Sequence, residues 1–504
     1  MIINKRLKGS ITIFGVLSIV IIVTLLFTLL EAARSTGLRM QTDGRAQRET
    51  ESVFAAYHKE LYDKYGLFFL EGSGGNNTYV PVKDEVIQSC ENTLDHDFLE
   101  ATLVASELVA YQLSTDSSGN VLRKQAAICA KGEAAADAVK KVMDKLEDGD
   151  YSEEAIEKER QKALSTQDAI DDGKRAYEEA SKDSDEGKPG DLQTEEQKAL
   201  VAKYGNPLEL LKGWGCEFAL QNVIEDMSKV SNKRIDVTNL LSNRSSISQG
   251  KAISTLECAS DNAKITDADN ALFITYLNKY FGYYTKGEKG DKALDYELEY
   301  ILCGKKSDKE NLNSVVTKLF LIREVCNYKT ILSDADKCSL AQSLAVAILT
   351  PFGLTFLTEP VKQGILLAWA YGESVLDIRT ILSGEKVSFI KSPSEWTLQL
   401  ENLGNIFNKS FKAKSNSNGM SYQNYLWALL FIENHKKQNY KTMDLIEVNI
   451  RNTIGNSGFK MDNMIQAAKL DYSYSSHNIF LSLMMKVGDE PGSYLMSIQK
   501  EFSY

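Results

Sequence analysis

Between Ile11 and Leu30 the chain carries twenty consecutive residues without a charge, "ITIFGVLSIVIIVTLLFTLL". As a helix this stretch spans roughly 30 Å, the thickness of a bilayer's hydrocarbon core. All but Thr12, Gly15, Ser18, Thr24 and Thr28 are Ile, Leu, Val or Phe. At about −0.3 to −0.6 kcal/mol each, the apolar residues favour insertion by roughly −5 to −9 kcal/mol. The hydroxyls can bond back to their own helix, so they interrupt it little. A secretory signal has an apolar region of about 7 to 15 residues and a small-x-small cleavage site. Here the run is longer, and a cut after Ala33 would put Glu31 at the −3 position. The segment therefore reads as an uncleaved anchor rather than an export signal or a buried core helix.

Its flanks leave orientation open on charge alone. Lys5, Arg6 and Lys8 precede the span, and Arg34, Arg39, Arg45 and Arg48 follow it. The short basic tail and Glu31 lean toward an inside N-terminus and an outside body.

The 504 residues, 43 % of them hydrophobic, suffice for more than one core beyond the anchor. The net charge of −11, with no block of Lys and Arg among aromatics, argues against nucleic acid as a partner. Cys90, Cys129, Cys216, Cys258, Cys303, Cys326 and Cys338 are scattered and form no CxxC, so zinc and redox pairs lack support. Most read as small buried hydrophobes.

The expected organisation is a basic cytoplasmic tail (1–10), a transmembrane anchor (11–30), a stem helix (31–66) and a small α/β segment (67–125). A charged helical hairpin (126–204), a helical body (205–452) and a C-terminal β region (453–504) follow. In the stem, Val53, Tyr57, Leu61 and Tyr65 recur at every fourth position as a packing stripe, and Gly66 before Leu67 reads as a helix stop. Anchor and stem together would form a rod of about 80 Å. Residues 99–113 fit a strand, and nearly as well a helix. Residues 126–200 read as two solvent-bathed helices forming a protruding hairpin, with a coiled-coil partner as the alternative. Thr194 with Gln197, and Ser307 with Glu310, carry capping-box spacing. After Ser307, Leu312, Val315, Val316, Leu319 and Ile322 line one face. The uncharged run Leu340–Leu357 contains Gln342, Pro351 and Gly353, so it reads as a buried helix ending near Pro351, not a second span. The fold class is thus α+β and predominantly helical: an anchor running into a long stem helix, then a helix-rich ectodomain with a small antiparallel sheet that includes C-terminal strands.

No motif declares chemistry. His58, His96, His435 and His477 have no metal-ligand spacing. P-loop and GxSxG patterns are missing. "TDADN" at 266–270 and "SDADK" at 333–337 lack the Gly and Glu of an EF-hand and read as helix caps. The expectation is no catalytic, cofactor-binding or metal residues, and no cofactor.

Several long segments carry a resemblance. They are the anchor "KGSITIFGVLSIVIIVTLLFTLLEAARS", the stem end "FAAYHKELYDKYGLFFLEG", and "YELEYILCGKKSDKENLNSVVTKLFLIREVCNY". "ILLAWAYGESVLDIRTILSGEKVSFIKSPSEW", "SYQNYLWALLFI" and "MDLIEVNIR" extend it. Together they resemble a poorly characterised family of Gram-positive single-pass membrane-anchored extracellular proteins. Its N-terminus is similar to TadE/TadG-like subunits of tight-adherence (Tad) pili. The resemblance implies an extracellular body and a place among minor pilins or pseudopilins, with pilin-like subunits or a pilus assembly platform and the lipid bilayer as partners. Gly9 and Ser10 match the position where a prepilin peptidase would cut. Phe14 stands where pilins carry a carboxylate, which suits an uncleaved, TadG-like helix better. At the membrane edge, Glu31 can pair with Arg34 or a neighbouring subunit, or simply anchor at the interface. The functional expectation is a non-enzymatic, membrane-anchored extracytoplasmic component of a Tad-like pilus or surface-assembly system. The alternatives are a cell-surface binding or adhesion module without a pilus partner, and an envelope-anchored hydrolase.

Overall fold

One helix, α1 (Leu7–Ala55), runs unbroken for 49 residues, about 74 Å, in the computed structural model of the chain. Residues 7–72, 99, 101–131, 137, 139–142, 153–180, 193–209, 220–245, 265–287, 290–480 and 493–504 are described. The chain divides into two compact units. One is built from Met1–Cys129, Arg244–Thr266 and Ile446–Tyr504, the other from Ala130–Asn243 and Asp267–Leu445.

In the first unit, α1 is followed by α2 (Lys59–Tyr65), β1 (Leu70–Glu71), β2 (Thr102–Leu113) and α3 (Asp116–Cys129); β3 (Met464–His477) and β4 (Ser493–Ser503) complete it. Strand β3 is central. Antiparallel β2 flanks one edge, from Thr102 opposite Ser475 to Leu113 opposite Ile465, and antiparallel β4 and β1 flank the other. Three irregularities in the β2 register keep that pairing from being a simple alternation. The C-terminal half of α1 lies across β3 and β4. Strict alternation makes this possible: Leu470, Tyr472, Tyr474 and Ser476 are buried, whereas Lys469, Asp471, Ser473 and Ser475 are only partly covered. Ala46, Val53 and Phe54 from α1 join Tyr111, Leu113, Ile465, Leu470, Tyr472 and Tyr474 in one core. Phe54 is wedged against Phe502 and Tyr504, with ring centroids 4.5 and 5.3 Å away.

The stem differs from the continuous helix to residue 66 expected from sequence. It stops at Ala55; His58 then donates its N–H to Phe69 O (2.9 Å), and its Nδ1 caps α2 by accepting from Leu61 N (3.2 Å). Gly66 closes α2 with φ 66°, its N–H bonded to Tyr62 O at 2.7 Å. That conformation is open to glycine at little cost.

The second unit is helical: α4 (Glu153–Ala180), α5 (Glu195–Tyr204), α6 (Asp267–Tyr280), α7 (Glu297–Cys303), α8 (Asp308–Leu332), α9 (Ala335–Leu349), α10 (Thr358–Leu382) and α11 (Tyr422–Ile432). A further helix, α12 (His435–Arg451), begins in this unit and ends in residues of the first. The central helix is α10, buried continuously from Gly364 to Leu382 and packed on α8, α9 and α4. At Gly372 a Cβ would come within 2.6 Å of the Leu398 side chain and 2.7 Å of the Leu403 side chain, so both would have to shift to admit it. The uncharged run before Pro351 is α9, with Leu344, Ala345 and Ala347 fully buried. The Thr194–Gln197 capping box is complete. At Ser307 the side chain caps Glu310 N at 3.3 Å, and Leu312, Val315, Val316 and Leu319 are buried as that face requires.

Within the charged region 126–204, the described helix α4 departs from the solvent-bathed hairpin expected. Helix α4 lies on α10 and α8, burying Ala163, Gln167 and Ile170 and pairing Arg160 with the buried Glu324. Its polar composition hid a narrow buried stripe.

Candidate membrane-anchoring and assembly site

Along α1 the environment switches abruptly. From Ile11 to Leu30 nearly every apolar side chain is bare: Phe14 is 73 % exposed, Ile21 64 % and Leu29 58 %. Thr24 and Thr28 return their hydroxyls to Ile21 O and Leu25 O, both at 2.8 Å, so the bare half has little unsatisfied polarity on its surface. From Glu31 onward one face is buried, through Arg34, Leu38, Thr42, Ala46, Glu49, Thr50, Val53 and Phe54. Among the described residues this is the one helix long and apolar enough to cross a membrane.

Glu31 and Arg34 mark the switch. Neither is an exposed interfacial charge: they are 3 % and 7 % exposed and form an ion pair of 3.0 Å. The Arg34 guanidinium also donates to His477 O (2.8 Å), Ser476 Oγ (2.8 Å) and Leu99 O (2.6 Å). Glu31 accepts the Phe480 N–H at 2.7 Å and the Tyr494 hydroxyl. Burial and this carboxylate push the Tyr494 phenol up to about 12. One i,i+3 pair thus ties α1 to the end of β3, the beginning of β4 and the approach to β2. Desolvating two charges is costly, and the pair is tolerable because backbone and side-chain partners surround it.

The remaining residues singled out from sequence fall as follows. Gly9 and Ser10 lie within α1. Of the stem stripe, Val53, Leu61 and Tyr65 are buried, and the Tyr65 hydroxyl accepts from Asn449 Nδ2 at 2.9 Å. Tyr57, in the break after α1, is half-buried with its ring 5.4 Å from Tyr62 and 5.2 Å from Phe68. The break therefore divides the stripe, and all four residues serve packing within the unit. His477 takes part through its carbonyl, while His96 lies outside the described residues. Sequence reasoning missed Ser476, Phe480 and Tyr494, for which no local signal exists.

The helical unit contains buried charges, each tied down. Arg323 forks onto Asp377 (3.0 and 2.8 Å), and Lys391 bridges Asp377 and Glu373. Glu373 also accepts the Leu398 N–H at 2.8 Å, which fixes the loop after Lys391. Asp308 accepts the Asp295 and Tyr296 N–H groups, both at 3.0 Å. Glu299 takes the Tyr284 N–H (2.9 Å) and the Tyr422 hydroxyl (2.8 Å), and its complete burial pushes its carboxyl up to about 7. These acids hold loops in place. "SDADK" is a cap, with Asp334 accepting Lys337 N at 3.1 Å, and "TDADN" opens α6. Cys303, Cys326 and Cys338 are free thiols. Among the described residues no cluster of three or more His, Cys, Asp or Glu could hold a metal ion. A recess of about 440 Å³ is lined mainly by Leu302, Leu321, Ile322, Val325 and Leu429, with Lys318 and Glu433 among its charged residues.

The profile of a family of unknown function, DUF5702, matches residues 196–476, more than half of the chain. The chain belongs to this family. The DUF5702 stretch opens in α5 and closes within β3, so it takes in the helical core and the central strand that carries Ser476. It leaves out α1 with Glu31 and Arg34. No curated protein and no solved structure matches the chain.

Proposed function

We propose that this protein is a non-enzymatic, single-pass component of the cytoplasmic membrane whose body lies outside the cell, serving a Tad-like pilus or related surface-assembly machine as a minor-pilin-like subunit. One observation carries the reading. A single helix is bare and apolar over Ile11–Leu30 and then, from Glu31, buried on its own sheet. Exposing that much apolar surface to water is unfavourable by about 25 cal/mol per Å², so the bare half needs lipid or the stems of other subunits around it. The buried half, latched through Arg34, holds the stem fast on its own sheet, which suits a subunit that transmits force or position through its stem.

Assembly proceeds by lateral packing of the Ile11–Leu30 helix against other hydrophobic stems, with pilin-like subunits and a pilus platform as partners. The acidic body argues against nucleic acid as a partner. Crosslinking in intact cells followed by mass spectrometry tests this. The expected crosslinks join residues of the bare half to proteins with their own N-terminal apolar stems, and deletion of the protein reduces surface pili. Unchanged pili together with no stem-bearing neighbour would refute it.

A further inference from the structure

The turn that follows β3 reaches past the polar latch to the apolar part of α1. Phe27 precedes Glu31 by one turn, about 6 Å along the axis. Its ring stacks on Phe480, with centroids 6.3 Å apart and planes inclined by 22°. Among the apolar side chains from Ile11 to Leu30, Phe27 alone is half-buried; Leu25, Leu26, Leu29 and Leu30 beside it are 46–58 % exposed. Ile479 and Phe480 are themselves only partly covered. The Phe480 N–H is satisfied by Glu31 Oε2, and the Tyr494 hydroxyl meets the same carboxylate. In sequence the chain continues beyond Phe480 as Leu-Ser-Leu-Met-Met.

We propose that Ile479 and Phe480 form a second lipid contact, seated in the outer leaflet beside Phe27. The inference rests on the reading of Ile11–Leu30 as a membrane span. A hydrocarbon core of roughly 30 Å is filled by the whole of Ile11–Leu30, so lipid around α1 at the level of Phe27 also meets the Phe480 ring stacked on it. Burial of an aromatic ring at that boundary is favourable, and its N–H carries no unmet bond into the lipid. A helix held by lipid only around its own axis is free to rotate. With the Phe480 edge immersed as well, rotation and tilt of α1 are restricted, and the sheet keeps one edge toward the membrane.

The test places the photo-crosslinking residue p-benzoylphenylalanine in the full-length chain, one position at a time, in phosphatidylglycerol–phosphatidylcholine vesicles. The positions are Phe480, Ile479, Phe14 in the bare half and Ile454, which is fully exposed in the loop whose Phe459 ring packs 4.8 Å from His58, beyond the far end of α1. After irradiation, intact mass reports what each position has captured. The expected result is a lipid adduct at 14, at 480 and at 479, and none at 454. An adduct at 14 with none at 479 or 480 overturns the second contact and leaves the membrane span standing. A protein adduct at 480 in place of lipid overturns it in favour of a neighbouring stem. Absence of adducts at 14 as well removes both readings.

Discussion

Replacing Arg34 with Met removes a guanidinium that makes four hydrogen bonds while leaving the helix stem and much of its apolar volume intact. Of its acceptors, Glu31 is 3 % exposed and the others are His477 O, Leu99 O and Ser476 Oγ. Taking one partner from a buried pair costs about 3–5 kcal/mol, mostly because the other charge is stranded. Here Glu31 keeps the Phe480 N–H and the Tyr494 hydroxyl, so the lower end, about 3 kcal/mol, is expected. The loss is local to the end of the sheet near Glu31. Native-state hydrogen exchange of the β3 and β4 amides in detergent or vesicles is therefore the appropriate assay. Protection at Ser476 and Tyr494 should fall by about 100-fold, whereas amides in α10 should be unaffected. The double variant Glu31→Gln/Arg34→Met removes both charges and should lose at least about 1 kcal/mol less than the sum of the single variants. Protection unchanged in Arg34→Met, or strict additivity in the cycle, would refute the latch.

Phe54→Ala removes the ring wedged between Phe502 and Tyr504 and should destabilise the stem–sheet unit by about 3–5 kcal/mol, read from urea unfolding of that unit. Gly419→Ala places a Cβ within 2.4 Å of the Val387 backbone, which cannot yield as a side chain can; a loss of at least about 2 kcal/mol in the helical unit is expected. Glu299 gives a pH signature: with its folded carboxyl pushed up to about 7 by burial, the folded state holds its proton more tightly than the unfolded chain does. Its contribution is therefore fully present below the ordinary carboxyl range and lost as pH rises from about 4.5 through about 7, an effect of roughly 3 kcal/mol. Thermal melts of Glu299→Gln should show a flatter profile between pH 5 and 8 and a higher midpoint than the parent at pH 8.

What could be read from sequence was local. The apolar run at Ile11–Leu30, the Gly66 stop, the Thr194–Gln197 capping box and the helix ending at Pro351 each follow from residues within a few positions of one another. Residues 99–113 fit a strand and a helix nearly equally because their alternation is imperfect, and the irregular register of Thr102–Leu113 against β3 explains why. The stem break at Ala55 depends on Phe69 O receiving the His58 N–H, a bond the every-fourth-residue stripe gives no hint of. Glu31 and Arg34 are visible as a pair three residues apart, but their burial is set by Ser476, His477, Phe480 and Tyr494, more than 440 positions away. Such pairing over long sequence separation leaves no periodic trace. The buried side of α4 was hidden for another reason, since the partner of Arg160 is a carboxylate, Glu324, rather than an apolar residue.

The account depends most on a lipid-embedded Ile11–Leu30 holding the body on the outer side, and protease treatment of intact protoplasts addresses this directly. Digestion of the body by added protease, with a short N-terminal fragment remaining in the membrane pellet, is the predicted result. A body that stays intact until the protoplasts are lysed, or a full-length chain that alkaline carbonate washes off the membrane, would contradict it.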